Sequence, residues 1–180
     1  DNGVTLATIY GGNDILQGGA GDDYINGGSG FDTIDFSSSN AKVYVNLNLN
    51  TASGEGNDQL YNIENIIGSS STLGDTLIGN ALVNTITGSL GNDTLSGLEG
   101  NDTLDGRSGS DWVDYSYITD TRAVNIDLSS NSVTQIGTPT NADTLTHIES
   151  AKGTKNNDTL KGDNAFDVVN SLFGYKGDDS

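Results

Sequence analysis

The sequence predicts an all-β protein folded as a right-handed parallel β-solenoid, and three observations favour this fold class. An aspartate recurs at every ninth residue, and an apolar residue follows it two positions later. Glycine-rich spacers separate these pairs, and glycine permits the left-handed backbone angles that tight turns require. A second repeat of roughly 80 residues is superimposed on the short one. Short, regular repeats are typical of solenoids, in which each repeat stacks on its neighbours.

The short repeats form two well-defined blocks. The first block spans residues 11–35, and its nine-residue columns are Asp14, Asp23 and Asp32, then Leu16, Ile25 and Ile34. The second block spans residues 74–113. Its polar column is Asp75, Asn84, Asp93, Asp102 and Asp111, and its apolar column is Leu77, Ile86, Leu95, Leu104 and Val113.

The segments between the blocks are themselves repeated. Residues 36–73 include an alternating stretch, 42–49, that predicts a half-buried strand. The pattern Asp58-x-Leu60-x-x-Ile63-Glu64 returns in residues 114–157 as Asp143-x-Leu145-x-x-Ile148-Glu149. A third block begins at Asp158 and occupies residues 158–180. We therefore expect residues 1–180 to form one continuous solenoid with longer, irregular coils between the blocks.

The nine-residue period is explained by a short strand followed by a turn. Side chains alternate between the faces of a strand, so only the apolar residue of each repeat points inward. Two repeats complete one coil, and residues 18 apart then stack about 4.8 Å from each other. This places Asp75, Asp93 and Asp111 on one edge, and Asn84 and Asp102 on the other.

Stacked carboxylates predict a bound cation. Two charges about 5 Å apart repel by roughly 3 kcal/mol at an effective dielectric near 20, and a column of them destabilises a thin core. Two Ca–O bonds of about 2.3–2.6 Å span the spacing between coils, and glycine turns direct backbone carbonyls to the same point. Mg²⁺ suits such a flexible cage less well.

The repeats resemble the RTX (repeats-in-toxin) nonapeptide family of large type I-secreted bacterial proteins. Residues 18–26 (GGAGDDYIN) and 27–35 (GGSGFDTID) match its pattern G-G-x-G-x-D-x-U-x at every position, whereas 88–91 and 97–100 lack the second glycine. The resemblance implies a parallel β-roll with several Ca²⁺ ions in its turns. It also implies export by a type I secretion system and folding only in extracellular calcium.

The resemblance assigns metal-binding roles to residues of the turns. The aspartates are Asp14, Asp23, Asp32, Asp75, Asp93, Asp102, Asp111 and Asp158, and the glycines are Gly12, Gly19, Gly21, Gly28, Gly30, Gly91, Gly100 and Gly109. Asn84 brings no charge, so we expect a weak or empty site there. Asp23 has Ala41 eighteen residues later, so its site is expected to be incomplete.

Composition excludes several classes of function. The net charge of −18 argues against nucleic acid or an anionic membrane as a partner. The chain has no cysteine, so no disulfide or thiol group contributes to the fold or to a site. It has no apolar run of about 18 residues, so we expect no membrane insertion. His147 is the only histidine and lacks the partners of a catalytic or zinc site, so we expect no enzymatic activity.

These observations favour a calcium-loaded structural or adhesive segment of a secreted or cell-surface protein. Two alternatives remain open: a calcium-binding accessory module of a secreted protease, lipase or polysaccharide epimerase, and a self-assembling fibre or layer subunit. The expected partners are calcium ions, with other copies end to end or a surface carbohydrate as further candidates. The sequence reads as a segment of a longer protein, with any export signal outside it.

Overall fold

The computed structural model describes residues 6–8 (backbone only), 11–136, 141–163 and 169–180. The described residues form two long, mainly parallel β-sheets, and the chain passes repeatedly from one sheet to the other. The predicted all-β parallel roll is therefore confirmed. No helix in these described ranges has the length and apolarity to cross a membrane.

The first sheet contains ten strands. In spatial order they are β1 (Leu6–Thr8), β3 (Tyr24–Asn26), β7 (Asn57–Tyr61), β6 (Thr51–Ser53), β5 (Tyr44–Asn46), β9 (Thr76–Ile78), β11 (Thr94–Ser96), β13 (Trp112–Asp114), β17 (Ser150–Lys152) and β19 (Ser171–Phe173).

The second sheet contains nine strands. In the same direction they are β2 (Ile15–Leu16), β4 (Thr33–Asp35), β8 (Asn65–Ile67), β10 (Thr85–Leu90), β12 (Thr103–Ser108), β16 (Ala142–Thr146), β15 (Ser132–Ile136), β14 (Ala123–Asp127) and β18 (Thr159–Lys161). A short 3₁₀ helix, Leu128–Ser130, joins β14 to β15.

Within the blocks, the register follows the predicted 18-residue coil. Thr76 pairs with Thr94, Thr94 with Trp112, and Thr85 with Thr103, all in parallel strands. The coil therefore consists of two nonapeptides, with one strand in each sheet.

Between the blocks, the coils are longer because each segment inserts antiparallel strands. β5, β6 and β7 form an antiparallel meander in the first sheet. The same arrangement recurs in the second sheet as β14, β15 and β16. Our expectation of longer irregular coils missed these meanders, since the nonapeptide period carries no signal for a reversal of chain direction.

The core is one apolar side chain wide along each sheet. The inward-facing residues of the second block, Leu77, Ile86, Leu95, Leu104 and Val113, are all fully buried. Larger side chains fill the core of the inter-block coils, where Phe36 and Tyr115 are buried at equivalent positions. In each repeat the aspartate precedes the buried apolar residue by two positions. The core contact of the apolar residue therefore fixes the position of the aspartate at the end of the turn.

Candidate metal centres

A ladder of hydrogen bonds joins the predicted aspartates of successive coils. The backbone N–H of each polar residue donates to a carboxylate oxygen, Oδ1, of the aspartate 18 residues later. The pairs are Asp14 to Asp32 (2.8 Å), Asp75 to Asp93 (2.6 Å), Asn84 to Asp102 (2.8 Å) and Asp93 to Asp111 (2.7 Å). The stacking predicted for both edges is therefore present, and one oxygen of each accepting carboxylate is used within it.

The ladder continues through the inter-block coils with different spacings. Asp23 N–H donates to Asp58 Oδ1 (3.0 Å), 35 residues away, so the next coil does place a carboxylate beside Asp23, although not at the 18-residue spacing where Ala41 stands. The other continuations are Asp32 to Glu64 (2.8 Å), Asp102 to Asp143 (2.9 Å) and Asp111 to Glu149 (2.7 Å). One sequence signal was available for Asp58, because Gly54-x-Gly56-x-Asp58-x-Leu60 repeats the nonapeptide core.

The second carboxylate oxygen distinguishes the members of the ladder. At Asp14, Asp32, Asp102 and Asp111, Oδ2 is buried and has no hydrogen-bond partner among the described residues. Burial raises the pKa of both Asp102 and Asp111 to about 7, with neighbouring carboxylates adding to the effect. A buried, unpartnered carboxylate oxygen is costly unless a cation or a donor reaches it.

At three other predicted ligands, protein donors occupy both carboxylate oxygens. Asp93 Oδ1 accepts the N–H of Asp75 (2.6 Å), and its Oδ2 accepts the N–H of Ser89 (3.0 Å). Asp75 Oδ2 accepts the N–H of Ser69 (2.6 Å), and Oδ1 accepts the Ser69 hydroxyl (2.8 Å) as well as the N–H of Val43 (2.9 Å). Thr154 does the same for Asp158, in the second copy of the superrepeat. In all three of these predicted ligands, Asp75, Asp93 and Asp158, hydrogen bonds from the protein therefore satisfy both carboxylate oxygens.

Asn84 also has its hydrogen-bonding groups satisfied by protein. Its Nδ2 donates to the carbonyl of Glu64 (2.7 Å), and its Oδ1 accepts the N–H of Asn80 (2.8 Å). Asn170 repeats this bond with the carbonyl of Glu149 (2.9 Å). The amide N–H thus donates a hydrogen bond to a backbone carbonyl, which an aspartate carboxylate could not do. Because both amide groups are already hydrogen-bonded and neutral, this gives a physical reason for the weak or empty site predicted there.

The predicted glycines form the turns between the strands. All of them adopt positive φ: Gly12, Gly19, Gly21, Gly28, Gly30, Gly91, Gly100 and Gly109. At Gly109 the reason includes close approach, because a Cβ atom would lie 1.7 Å from the carbonyl oxygen of Gly91 in the preceding coil. Successive turns therefore stack with their backbones in contact.

A further set of glycines, which the sequence reasoning left out of the site, cradles the carboxylates. A Cβ atom on Gly88 would lie 2.3 Å from Asp93 Oδ2 and 2.5 Å from the carbonyl oxygen of Gly106. At Gly106 the corresponding atoms are Asp111 Oδ2 (2.5 Å) and the carbonyl oxygen of His147 (2.3 Å). A carboxylate and a carbonyl from the next coil therefore converge over each of these glycines. Convergent carboxylate and carbonyl oxygens are the donor set that Ca²⁺ prefers.

Replacing Gly88 with alanine tests this cradle. We expect Gly88→Ala to lower the free energy of unfolding by about 1–3 kcal/mol in saturating calcium, because the added methyl overlaps both oxygens. Its apparent calcium affinity should fall as well. Urea denaturation at several calcium concentrations measures both effects. Ser89→Ala is the matched control, since Ser89 acts through its backbone N–H. Equal stability of the two variants would contradict the cradle.

Comparison with known families agrees with this geometry. Residues 10–35 and 78–113 match the RTX calcium-binding nonapeptide repeat in four copies, which together cover about a third of the chain. No curated protein matches the sequence. The chain therefore carries RTX calcium-binding repeats folded as a β-roll module. The inter-block coils, with Asp58, Asp143 and the two ladder glutamates, lie outside the matched residues.

Proposed function

We propose that this chain is a segment of a secreted or cell-surface bacterial protein that folds when it binds calcium outside the cell. The observation that supports this most strongly is that the Oδ2 atoms of Asp14, Asp32, Asp102 and Asp111 are buried and have no hydrogen-bond partner within the described ranges. In a chain with a net charge of −18, these carboxylates destabilise the folded state until a cation neutralises them. Binding energy then becomes folding energy.

An extracellular location is supported by the form of the proposed sites. Each proposed site combines only one or two carboxylates with neutral backbone carbonyls. Because calcium affinity falls as the number of charged ligands falls, we expect Kd values of about 10⁻⁴–10⁻³ M, the range of extracellular calcium-binding modules. Such sites stay empty at low cytosolic calcium, so the chain remains expanded until export. This supports the type I route that the nonapeptide resemblance implies.

A structural or adhesive role is supported by the outer face of the first sheet. Tyr24 stacks on Tyr61 with ring centroids 4.9 Å apart, and Trp112 packs against Phe173 at 5.6 Å. The ammonium of Lys152 lies 5.4 Å from the centre of the Trp112 ring. Aromatic rings on a polar sheet face suit contacts with another protein or a carbohydrate.

Calcium titration followed by circular dichroism tests the proposal. In chelator we expect a coil spectrum, and on adding calcium a β spectrum with a midpoint of about 10⁻⁴–10⁻³ M. Magnesium at the same concentrations should have a much smaller effect, because it demands stricter octahedral geometry.

Two outcomes would contradict the proposal. A chain that has the same β content in chelator and in calcium would show that folding does not depend on the ion. A midpoint below about 10⁻⁷ M would fill the sites inside the cell and remove the basis for folding after export.

A further inference from the structure

The turn at residues 54–56, between β6 and β7, lies outside the RTX match, yet it stacks on the preceding coil as an RTX turn does. A Cβ atom on Gly56 would lie 1.9 Å from the carbonyl oxygen of Gly21. The same contact within the first block, Gly30 on Gly12, has the same distance. The backbone bonds also correspond: Gly21 N–H donates to Glu55 O (3.0 Å), as Gly12 N–H does to Ser29 O (2.9 Å).

Asp58 gives this turn the carboxylate of a nonapeptide aspartate. Its side chain is buried, with 2% of its surface exposed. One oxygen, Oδ1, accepts the N–H of Asp23, and the other, Oδ2, is buried and finds no hydrogen-bond partner in the part of the chain that the structure describes. Asp22 adds a second charge at the same turn pair, where it accepts the N–H of Asn57 (2.8 Å). An open surface depression next to this turn is lined by Asp22, Asp23, Tyr24, Asn57 and Gln59, whereas the buried Asp58 side chain does not line it.

The second copy of the superrepeat handles the equivalent carboxylate differently. Asp143 occupies the place of Asp58, and its Oδ1 accepts the N–H of Asp102. Its Oδ2, however, accepts a hydrogen bond from the buried hydroxyl of Tyr115. The residue equivalent to Tyr115 in the first copy is Phe36, which has no hydroxyl. In the second copy the carboxylate therefore accepts a hydrogen bond from a tyrosine hydroxyl, whereas the equivalent residue of the first copy, a phenylalanine, cannot donate one.

We propose that Asp58, together with Asp23, forms a calcium site in the first inter-block coil, and that the Tyr115 hydroxyl replaces the ion in the second. The inference rests on the proposed calcium-dependent folding, and it adds a ligand that the nonapeptide match does not include. In this proposal the turn 54–56 supplies backbone carbonyls to the ion, the role we also propose for the turns of the blocks. Calcium occupancy is thus unequal between two copies of the same motif.

Counting bound ions tests this site. Isothermal titration calorimetry of the full chain, with Ca²⁺ alone as the probe, should give one ion fewer for Asp58→Asn, or a tenfold or greater loss of affinity for one ion. Asp143→Asn is the matched control, and its ion count should equal that of the wild type. An unchanged count and affinity in Asp58→Asn would overturn the inference. So would the loss of one ion in Asp143→Asn.

A second variant covers the case in which Asp58→Asn fails to fold. Asp22 is exposed, and its carboxylate accepts the backbone N–H of Asn57. The amide of Asp22→Asn keeps an oxygen for this hydrogen bond and removes one charge. We expect it to stay folded and to weaken one calcium site by about threefold to tenfold at low salt. Unaltered affinity at every site in Asp22→Asn would overturn the inference. A wild-type chain that binds no calcium would instead refute the proposed function itself.

Discussion

Asp102→Asn should stabilise the calcium-free chain and weaken it in calcium. The Asp102 carboxylate is almost completely buried, and no described residue donates a hydrogen bond to its Oδ2. Burial raises its pKa from 3.8 to about 7. A shift of this size corresponds to about 4 kcal/mol of penalty on the charged form. The amide keeps an oxygen for the N–H of Asn84 and removes the charge, so we expect a gain of about 1–3 kcal/mol in chelator.

In calcium the sign should reverse, since an amide offers the ion a neutral oxygen instead of a charged one. The calcium midpoint of Asp102→Asn should rise by about tenfold. Urea denaturation in chelator and in saturating calcium, for wild type and variant, measures both effects. Destabilisation of Asp102→Asn under both conditions would show that the carboxylate is needed for the fold and not for the ion.

Asp75→Asn is the matched control. Both oxygens of Asp75 accept hydrogen bonds from protein groups, so the amide N–H₂ would face a donor. We expect this variant to lose about 1–3 kcal/mol in chelator, opposite in sign to Asp102→Asn. Comparing Asp→Asn at positions 102 and 75 thus distinguishes a carboxylate that needs an ion from one whose oxygens already accept hydrogen bonds from the protein.

The pH dependence of the calcium-free chain should follow from the same carboxylate. Folded Asp102 binds a proton between pH 3.8 and about 7, whereas the unfolded chain does not. The free energy of unfolding of the wild type in chelator should therefore be higher near pH 4 than at pH 7, and should decrease as the pH rises from 4 through 7. Asp102→Asn should lack its share of this change.

Leu95→Ala should cause the largest loss of stability in the second block. Leu95 is fully buried between Leu77 and Val113 of the adjacent coils, and each strand contributes one such side chain. A core one residue wide has no second layer that can move into the cavity. We expect a loss of about 3–5 kcal/mol in saturating calcium, near the upper end for such substitutions.

Leu73→Ala is the control for this prediction, because Leu73 lies in a turn and is 76% exposed. It should change the free energy of unfolding by less than about 0.5 kcal/mol. Urea denaturation in calcium compares the two variants directly. A loss below about 1 kcal/mol for Leu95→Ala would mean that the ions, and not the apolar column, hold the coils together.

The sequence predicted the parts of the structure that follow the nine-residue period. The 18-residue register, the buried apolar column and the stacking of Asp75, Asp93 and Asp111 all repeat locally, so each copy of the motif supports the same interpretation. Their physical cause is also local, since one strand and one glycine turn define each repeat.

The unpredicted features depend on contacts between distant parts of the chain. Asp58 joins the ladder because a meander of antiparallel strands displaces it by 35 residues from Asp23, which a fixed period cannot reveal. The donors that satisfy individual carboxylates, such as Ser69 and Tyr115, lie in irregular segments. Whether both oxygens of a carboxylate find protein donors therefore depends in part on residues outside the nine-residue pattern.

The two meanders lie in opposite sheets, and this alternation has a mechanical consequence. Between β3 and β9 the first sheet contains three strands, where the second sheet has only β8 between β4 and β10. Two additional strands at about 4.8 Å each act as a wedge and would bend the axis of the roll towards the second sheet. Between β12 and β18 the wedge is in the second sheet and bends the axis back. The two wedges in this chain therefore lie in opposite sheets, so their expected bends act in opposite directions and offset each other.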